Sequence, residues 1–500
     1  MNQNASPSFD LLLDAALAAP GRADLATQLG LRALEERREE DALPILSAAA
    51  RRFTRDGTLL HVTGLLHRAV GDLNAAIACF DAALPFAPTS ARLMHARARA
   101  AAEAGLLSLD WYRRARAMAP NDGEVILGEA AALHAAGENM TADAMLSGLL
   151  RQHPGWIDGH AVLIRLRYLL GGEATALAEL DRAIAVAPRD LALHSLKITV
   201  LVRRAAGEQA RAALSAAQAA LGNSAPLRPA AAIVATEFGD LATADAAFAG
   251  LDPLADTDLF INWMRHLLRR QEPERVSALY GHLPPALADH AWPYLSLAWR
   301  LTDNPRAAWL QRDEFVRIVD FGTDWPLLAP LTETLRALHL ATHQPLDQSV
   351  RNGTQTDGPL FSRIDPVIRA VRERLSAEVR DYIAALPAPD PEHPLLGRIP
   401  RHPRFVGSWS VRLRDGGFHE PHIHGEGWLS SAFYVALPPA HGEAGWLTLG
   451  EPQSSLNLAL APTRLIEPKP GRLVLFPSTQ WHGTRPVASG ERLTIAFDIA

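Results

Sequence analysis

The sequence predicts a multidomain α + β protein, an all-α repeat stack followed by a β-rich barrel. Residues 1 to roughly 250 are rich in Ala, Leu, Arg and Glu, which are good helix formers. From about residue 400 onward the chain turns to Gly, Pro, Trp and short β-branched or aromatic runs. Within the first part, Gly and Pro recur in phase.

Bulk properties bound the reading. Five hundred residues exceed one ordinary core, so more than one domain is expected. Hydrophobic content of 48% beside 21% charged residues argues against wholesale disorder. A formal net charge of -6 gives no general attraction to nucleic acid or anionic membranes. The single cysteine, Cys79, excludes an internal disulfide and a Cys-based zinc site, and suits a reducing compartment. The stretch MNQNASPSFDLLLDAALAAPGR has no basic start, and Asp10 and Asp14 interrupt its apolar residues, so it does not read as a signal peptide. No run of uncharged apolar residues reaches membrane-spanning length. The expectation is a cytoplasmic protein.

In the helical part, prolines 88, 120, 154 and 188 lie 32, 34 and 34 residues apart, and glycines 71, 105, 137 and 171 keep the same beat. Between them run Ala76-x3-Phe80-x2-Ala83, Ser108-x3-Tyr112-x2-Ala115, Ala142-x3-Leu146-x2-Leu149 and Ala176-x3-Leu180-x2-Ala183. Gly lets a turn close, Ala lets helices approach, and Pro stops the second helix. A period of 34 of this kind resembles the tetratricopeptide repeat, a helical solenoid. The best copy, LLHVTGLLHRAVGDLNAAIACFDAALPFAP, places Gly64 at the crowded position of its first helix. The repeat domain is expected over 1–255, with a helical extension over 256–340.

The segment HQPLDQSVRNGTQTDGPLF reads as an ordered loop opening the last domain, 341–500. An amphipathic helix, IDPVIRAVRERLSAEVRDYIAAL, follows, and the prolines of PAPDPEHPLLGRIPRHP block further helix. GSWSVRL, WLSSAFYVAL, GWLTLG, GRLVLFPS and ERLTIAFDIA read as five strands of a double-stranded β-helix, or jelly roll.

Histidines sit at the ends of these strands. His422 and His424 precede one strand, and His482 follows another 58 to 60 residues later. A non-haem iron(II) centre takes two or three protein ligands on one face and leaves positions for a chelating cosubstrate and dioxygen. Such a cosubstrate, 2-oxoglutarate, needs a buried cation for its far carboxylate. Arg492 lies ten residues after His482, and Thr494 points to the same face of that strand. Tyr434 either packs or lends its hydroxyl to that carboxylate.

On these residues the chain resembles a bacterial group of iron(II)- and 2-oxoglutarate-dependent oxygenases appended to tetratricopeptide repeats. GSWSVRLRDGGFHEPHIHGEGWLSSAFYVALP and PGRLVLFPSTQWHGTRPVASGERLTIAFDIA carry the resemblance, with QSVRNGTQTDGPLF at its start. It also resembles, in architecture, aspartyl/asparaginyl β-hydroxylase. The resemblance implies a hydroxylating dioxygenase using Fe(II), 2-oxoglutarate and O2, with His422, His424 and His482 as ligands. It departs from the commonest triad, in which Asp or Glu stands where His424 does. Glu426 is the rival third ligand, and a two-histidine site is the other alternative. The repeats imply a peptide or protein partner. An inactive repeat scaffold and a cupin-like metalloenzyme without 2-oxoglutarate are the competing readings. His419, Trp428, Trp481, Ser410, Arg412, Arg351 and Gln355 are further candidates for lining the site.

Overall fold

The computed structural model describes residues 7–222, 225–346, 348–439 and 441–500. The first six residues of the amino-terminal stretch, and Asp347 of the polar segment, lie outside these. The chain forms two compact units, Met1–Met145 with Gly358–Arg372, and Leu146–Asp357 with Glu373–Ala500.

In the first unit, helices Phe9–Ala18, Ala23–Glu36, Glu39–Arg52, Gly57–Ala69, Leu73–Ala83, Ala91–Glu103, Leu109–Met118 and Gly123–Ala135 pack as successive hairpins. Short polar side chains start them. Asp56 accepts from the Thr58 and Leu59 amides, Asp72 from Ala75, Ser90 from Leu93 and Asp122 from Val125. The in-phase glycines end them: Gly71, Gly105 and Gly137 have φ of 79°, 76° and 80°. Gly171, in the second unit, has 78°. This left-handed geometry favours glycine, which explains the beat in the sequence. Gly64 is crowded as expected, because a Cβ there would lie 2.5 Å from Cε1 of the buried Phe80. The 358–372 segment is tied to two of these turns. Arg372 donates to the Gly71 carbonyl at 3.1 Å and the Ile364 amide to Ala104 at 3.1 Å.

The second unit opens with the remaining repeat helices, including Ile157–Leu169, Ala178–Val186 and Leu191–Arg203, and ends in a curled antiparallel sheet of the jelly-roll kind. Its strands are β1 (Arg317–Asp320), β2 (Val350–Gln355), β3 (Phe405–His422), β4 (Leu429–Ala436), β5 (Leu447–Leu449), β6 (Arg464–Ile466), β7 (Arg472–Pro477), β8 (His482–Thr484) and β9 (Arg492–Ile499). The order is β1-β7-β4-β9-β3-β8-β5-β6, with β2 also on β3. β3 joins the two halves: its first part pairs with β9 from Phe405 to Leu413, and its end pairs with β8 at His419 and His422.

Two expectations need correction. The segment around Val350–Gln355 is a strand, not a loop, because its polar residues pair with β3 some 60 residues away in sequence. The helical stretch up to residue 340 is interrupted by β1, four residues that edge the sheet against β7. A run that short shows no periodicity of its own. Helix Pro285–Leu301 packs on the barrel through Trp292, Trp299 and Trp481. The Trp481 indole donates to the Pro293 carbonyl at 3.0 Å. Among the described residues, no helix is long and apolar enough to cross a membrane.

Candidate metal centre and its neighbouring cation

Strand pairing builds the centre. His422 ends β3, His482 begins β8, and the two are direct register partners. His424 follows two residues past the end of β3. The ring centroids lie 4.2 Å apart for His422 and His482, 5.0 Å for His422 and His424, and 4.9 Å for His424 and His482. One nitrogen from each ring lies within 4.8 Å of the others, close enough to hold one metal ion.

Hydrogen bonds choose which nitrogens converge. His422 Nδ1 donates to the Glu420 carbonyl at 2.8 Å, and His482 Nδ1 to the Gln480 carbonyl at 3.1 Å. His424 Nδ1 lies 2.7 Å from Oδ1 of Asp498. Carbonyl and carboxylate oxygens only accept, so each Nδ1 carries hydrogen, which leaves Nε2 as the nitrogen of each ring that can face a metal. Burial, and then the neighbouring His424, push His422 down to about 3. Burial also holds His482 and His419 well below the usual imidazole range. A neutral imidazole is what a metal requires.

His419 stacks on His422 with centroids 5.8 Å apart. Ser349 Oγ lies 3.0 Å from His419 Nδ1 and 3.3 Å from His422 Nε2. Glu426 is exposed and lines a neighbouring cavity, which His424 also borders, with Asp289, His290 and Arg398.

The histidine cavity is also lined by Arg492 and Thr494 of β9 and by Trp409 and Gln355. Arg492 is 2% exposed, yet no carboxylate pairs with it among the described residues, and its Nε has no hydrogen-bond partner. Its guanidinium lies over the Tyr434 ring, 5.1 Å from the centroid. Tyr434 is the β4 register partner of Thr494, and its buried hydroxyl also lacks a partner. Burial lowers the Arg492 pKa and raises that of Tyr434. A buried cation with nothing to neutralise it fits an anionic ligand such as the distal carboxylate of 2-oxoglutarate. Three converging imidazoles fit iron(II).

Other candidates have different employment. Trp481 packs on helix Pro285–Leu301, and the Trp428 indole donates to the Leu395 carbonyl at 2.9 Å. Arg351 pairs with Glu420 at 2.6 Å, and Arg412 with Glu491 at 2.5 Å. Ser410 Oγ donates to the Thr494 carbonyl at 3.0 Å and lies 3.1 Å from His339 Nε2. Sequence reasoning missed Asp498 and Trp409. For Asp498 a signal existed, since Arg492, Thr494 and Asp498 share one face of an alternating strand.

Residues 407–498 match the family described as "Putative 2OG-Fe(II) oxygenase". This oxygenase match spans β3 through almost all of β9, and so includes all three histidines, Arg492 and Thr494. Among curated proteins none matches the chain. Among solved structures, a tetratricopeptide repeat protein from Parabacteroides merdae is 16% identical, covering 45% of this chain and 90% of its own, with a TM-score of 0.33. YrrB, titled a TPR protein with an unusual peptide-binding site, is 19% identical over 37% of this chain and 97% of its own, at a TM-score of 0.30. A Pseudomonas putida prolyl-4-hydroxylase is 17% identical over 37% of this chain and 91% of its own, at a TM-score of 0.26.

Proposed function

We propose that this chain is an iron(II)- and 2-oxoglutarate-dependent dioxygenase of the cytoplasm that hydroxylates a peptide or protein, with residues 341–500 as its catalytic segment. The observation that carries the reading is the unpaired, buried Arg492 lining the same cavity as three converging imidazoles. His422, His424 and His482 would hold the metal through Nε2. Arg492 would take the far carboxylate of the cosubstrate, with Thr494 and the Tyr434 hydroxyl as further donors. When bound, iron(II) with 2-oxoglutarate and O2 supplies an oxidant able to take hydrogen from an unactivated C–H bond.

The chain's own part is to orient and to exclude water. The carbonyls of Glu420 and Gln480 fix two ring tautomers, and Trp409 and Phe476 wall the cavity. The helical repeats would present the substrate, since such stacks commonly bind extended peptides. Arg492 also weighs against a cupin-like enzyme without 2-oxoglutarate, which has no use for that cation.

Anaerobic titration of the full chain with iron(II) and 2-oxoglutarate tests this, followed by admission of air. A weak visible charge-transfer band and then succinate are expected. Absence of both would sink the assignment. Incubating the loaded enzyme with a peptide library and reading +16 Da products by mass spectrometry tests the substrate class.

A further inference from the structure

The site lacks the carboxylate that usually completes a facial triad, and the fold holds one immediately behind the third histidine. Asp498 is 8% exposed on β9, and its Oδ1 lies 2.7 Å from His424 Nδ1. Ser430 Oγ donates to the same oxygen at 2.7 Å, and Ser430 and Ser478 share a hydrogen bond at 2.8 Å. The β4–β9 ladder pairs Ser430 with Asp498 directly, so backbone register fixes these two against each other. Space is kept for it: a Cβ on Gly427 would meet Ser478 Oγ at 2.6 Å and the Asp498 Cβ at 3.3 Å.

Asp498 has no Arg or Lys partner among the described residues. A buried carboxylate in that position needs a positive charge within reach. The His424 ring, and what its other nitrogen holds, is where that charge can come from. Arg492 and Asp498 thus stand on one face of β9 as opposite charges, each buried without a fixed counter-ion, and neither pairs with the other.

We propose that Asp498 is a positioning residue that supplies, through the His424 ring, the negative charge that a coordinating Asp or Glu supplies in the commoner triad. The carboxylate has moved one residue outward, and the imidazole between it and the metal carries its effect. The inference rests on reading the three histidines as metal ligands. It concerns metal affinity and ligand field, quantities that can be measured without turnover.

The test uses full-length protein under anaerobic conditions, with iron(II) and cobalt(II) as the probes. Asp498→Asn preserves shape and a hydrogen-bond acceptor while removing the charge. It is expected to weaken both metals by about 10–100-fold and to shift the cobalt(II) ligand-field bands. The melting temperature of its metal-free form should stay level or rise, which a structural role would not allow. The double variant His424→Asp/Asp498→Asn returns the carboxylate to the metal and should recover most of the lost affinity. Metal affinity of Asp498→Asn within threefold of the parent would overturn the proposal, as would a double variant no better than Asp498→Asn. His482→Ala separates this from failure of the underlying reading. If His482→Ala still binds metal as the parent does, the three-histidine centre itself is wrong. If it loses metal while Asp498→Asn does not, only the role of Asp498 falls.

Discussion

His422 and His482 face each other as register partners across the β3–β8 ladder, with ring centroids 4.2 Å apart. They come from positions 60 apart in sequence, and only closure of the curled sheet brings them together. The ladder therefore sets the centre, and each ring's carbonyl partner, two residues before it, sets its tautomer.

Substituting either partner should remove the metal. His482→Ala and His422→Ala are each expected to weaken iron(II) by at least about 100-fold, beyond what loss of an outer hydrogen bond costs. Equilibrium dialysis with metal analysis checks this. Glu426→Gln, on an exposed residue outside the cavity, should leave affinity unchanged.

Arg492→Met should act in opposite senses on binding and stability. Losing charge-assisted hydrogen bonds of about 1.5–3 kcal/mol should weaken 2-oxoglutarate roughly 10–100-fold while metal affinity persists. The metal-free, cosubstrate-free variant should melt no lower than the parent, because an uncompensated buried cation has been replaced by an apolar chain. Calorimetric titration and thermal unfolding read the two effects.

Stability should fall on acidification before the carboxylates titrate. His339 is half-buried between Thr354 Oγ1, 2.8 Å from Nδ1, and Ser410 Oγ, 3.1 Å from Nε2. Burial first, then Arg412, lower its pKa to about 4. The unfolded imidazole, near its ordinary value of 6.5, binds protons that the folded one refuses. This contribution is complete above about pH 6.5 and is lost as pH falls toward 4. His422, pushed to about 3, adds a loss in the same direction. His339→Gln should flatten the slope of unfolding free energy against pH between 4 and 6.5, measured by urea denaturation of metal-free protein.

In the repeats, Gly64→Ala should destabilise, although alanine is the better helix former by about 1 kcal/mol. The new Cβ would sit 2.5 Å from the Phe80 ring, and such overpacking costs about 1–3 kcal/mol. A lower melting temperature that Phe80→Leu partly restores is the expected result.

The sequence made the repeats easy to read because each signal is local. Gly71 and its three counterparts answer one geometric demand, a left-handed turn, at a fixed spacing. The strands GSWSVRL and ERLTIAFDIA were equally visible through their alternation. β2 was not, because Arg351, Asn352 and Gln355 look like a loop until β3 arrives to pair with them. The end of β3 was hidden too: the expected strand GSWSVRL stops at Leu413, yet β3 runs on through Asp415-Gly416-Gly417 to His422. Gly417 is required there because a Cβ would lie 2.6 Å from the Asn352 carbonyl. Histidines, Arg492 and Thr494 stood out by chemical type and spacing. Asp498 did not, since a lone acidic residue in a closing strand looks solvated until its partner His424, 74 residues earlier, is known.

β3 runs unbroken from Phe405 to His422. A slip of one residue against β9 would turn every side chain of the strand to the opposite face and carry His422 away from His482. A wrongly threaded barrel could still be compact, but it would be blind to iron. With the three histidines holding iron(II) as proposed, metal uptake would report on folding, and the ion's grip would measure the fidelity of the whole strand alignment.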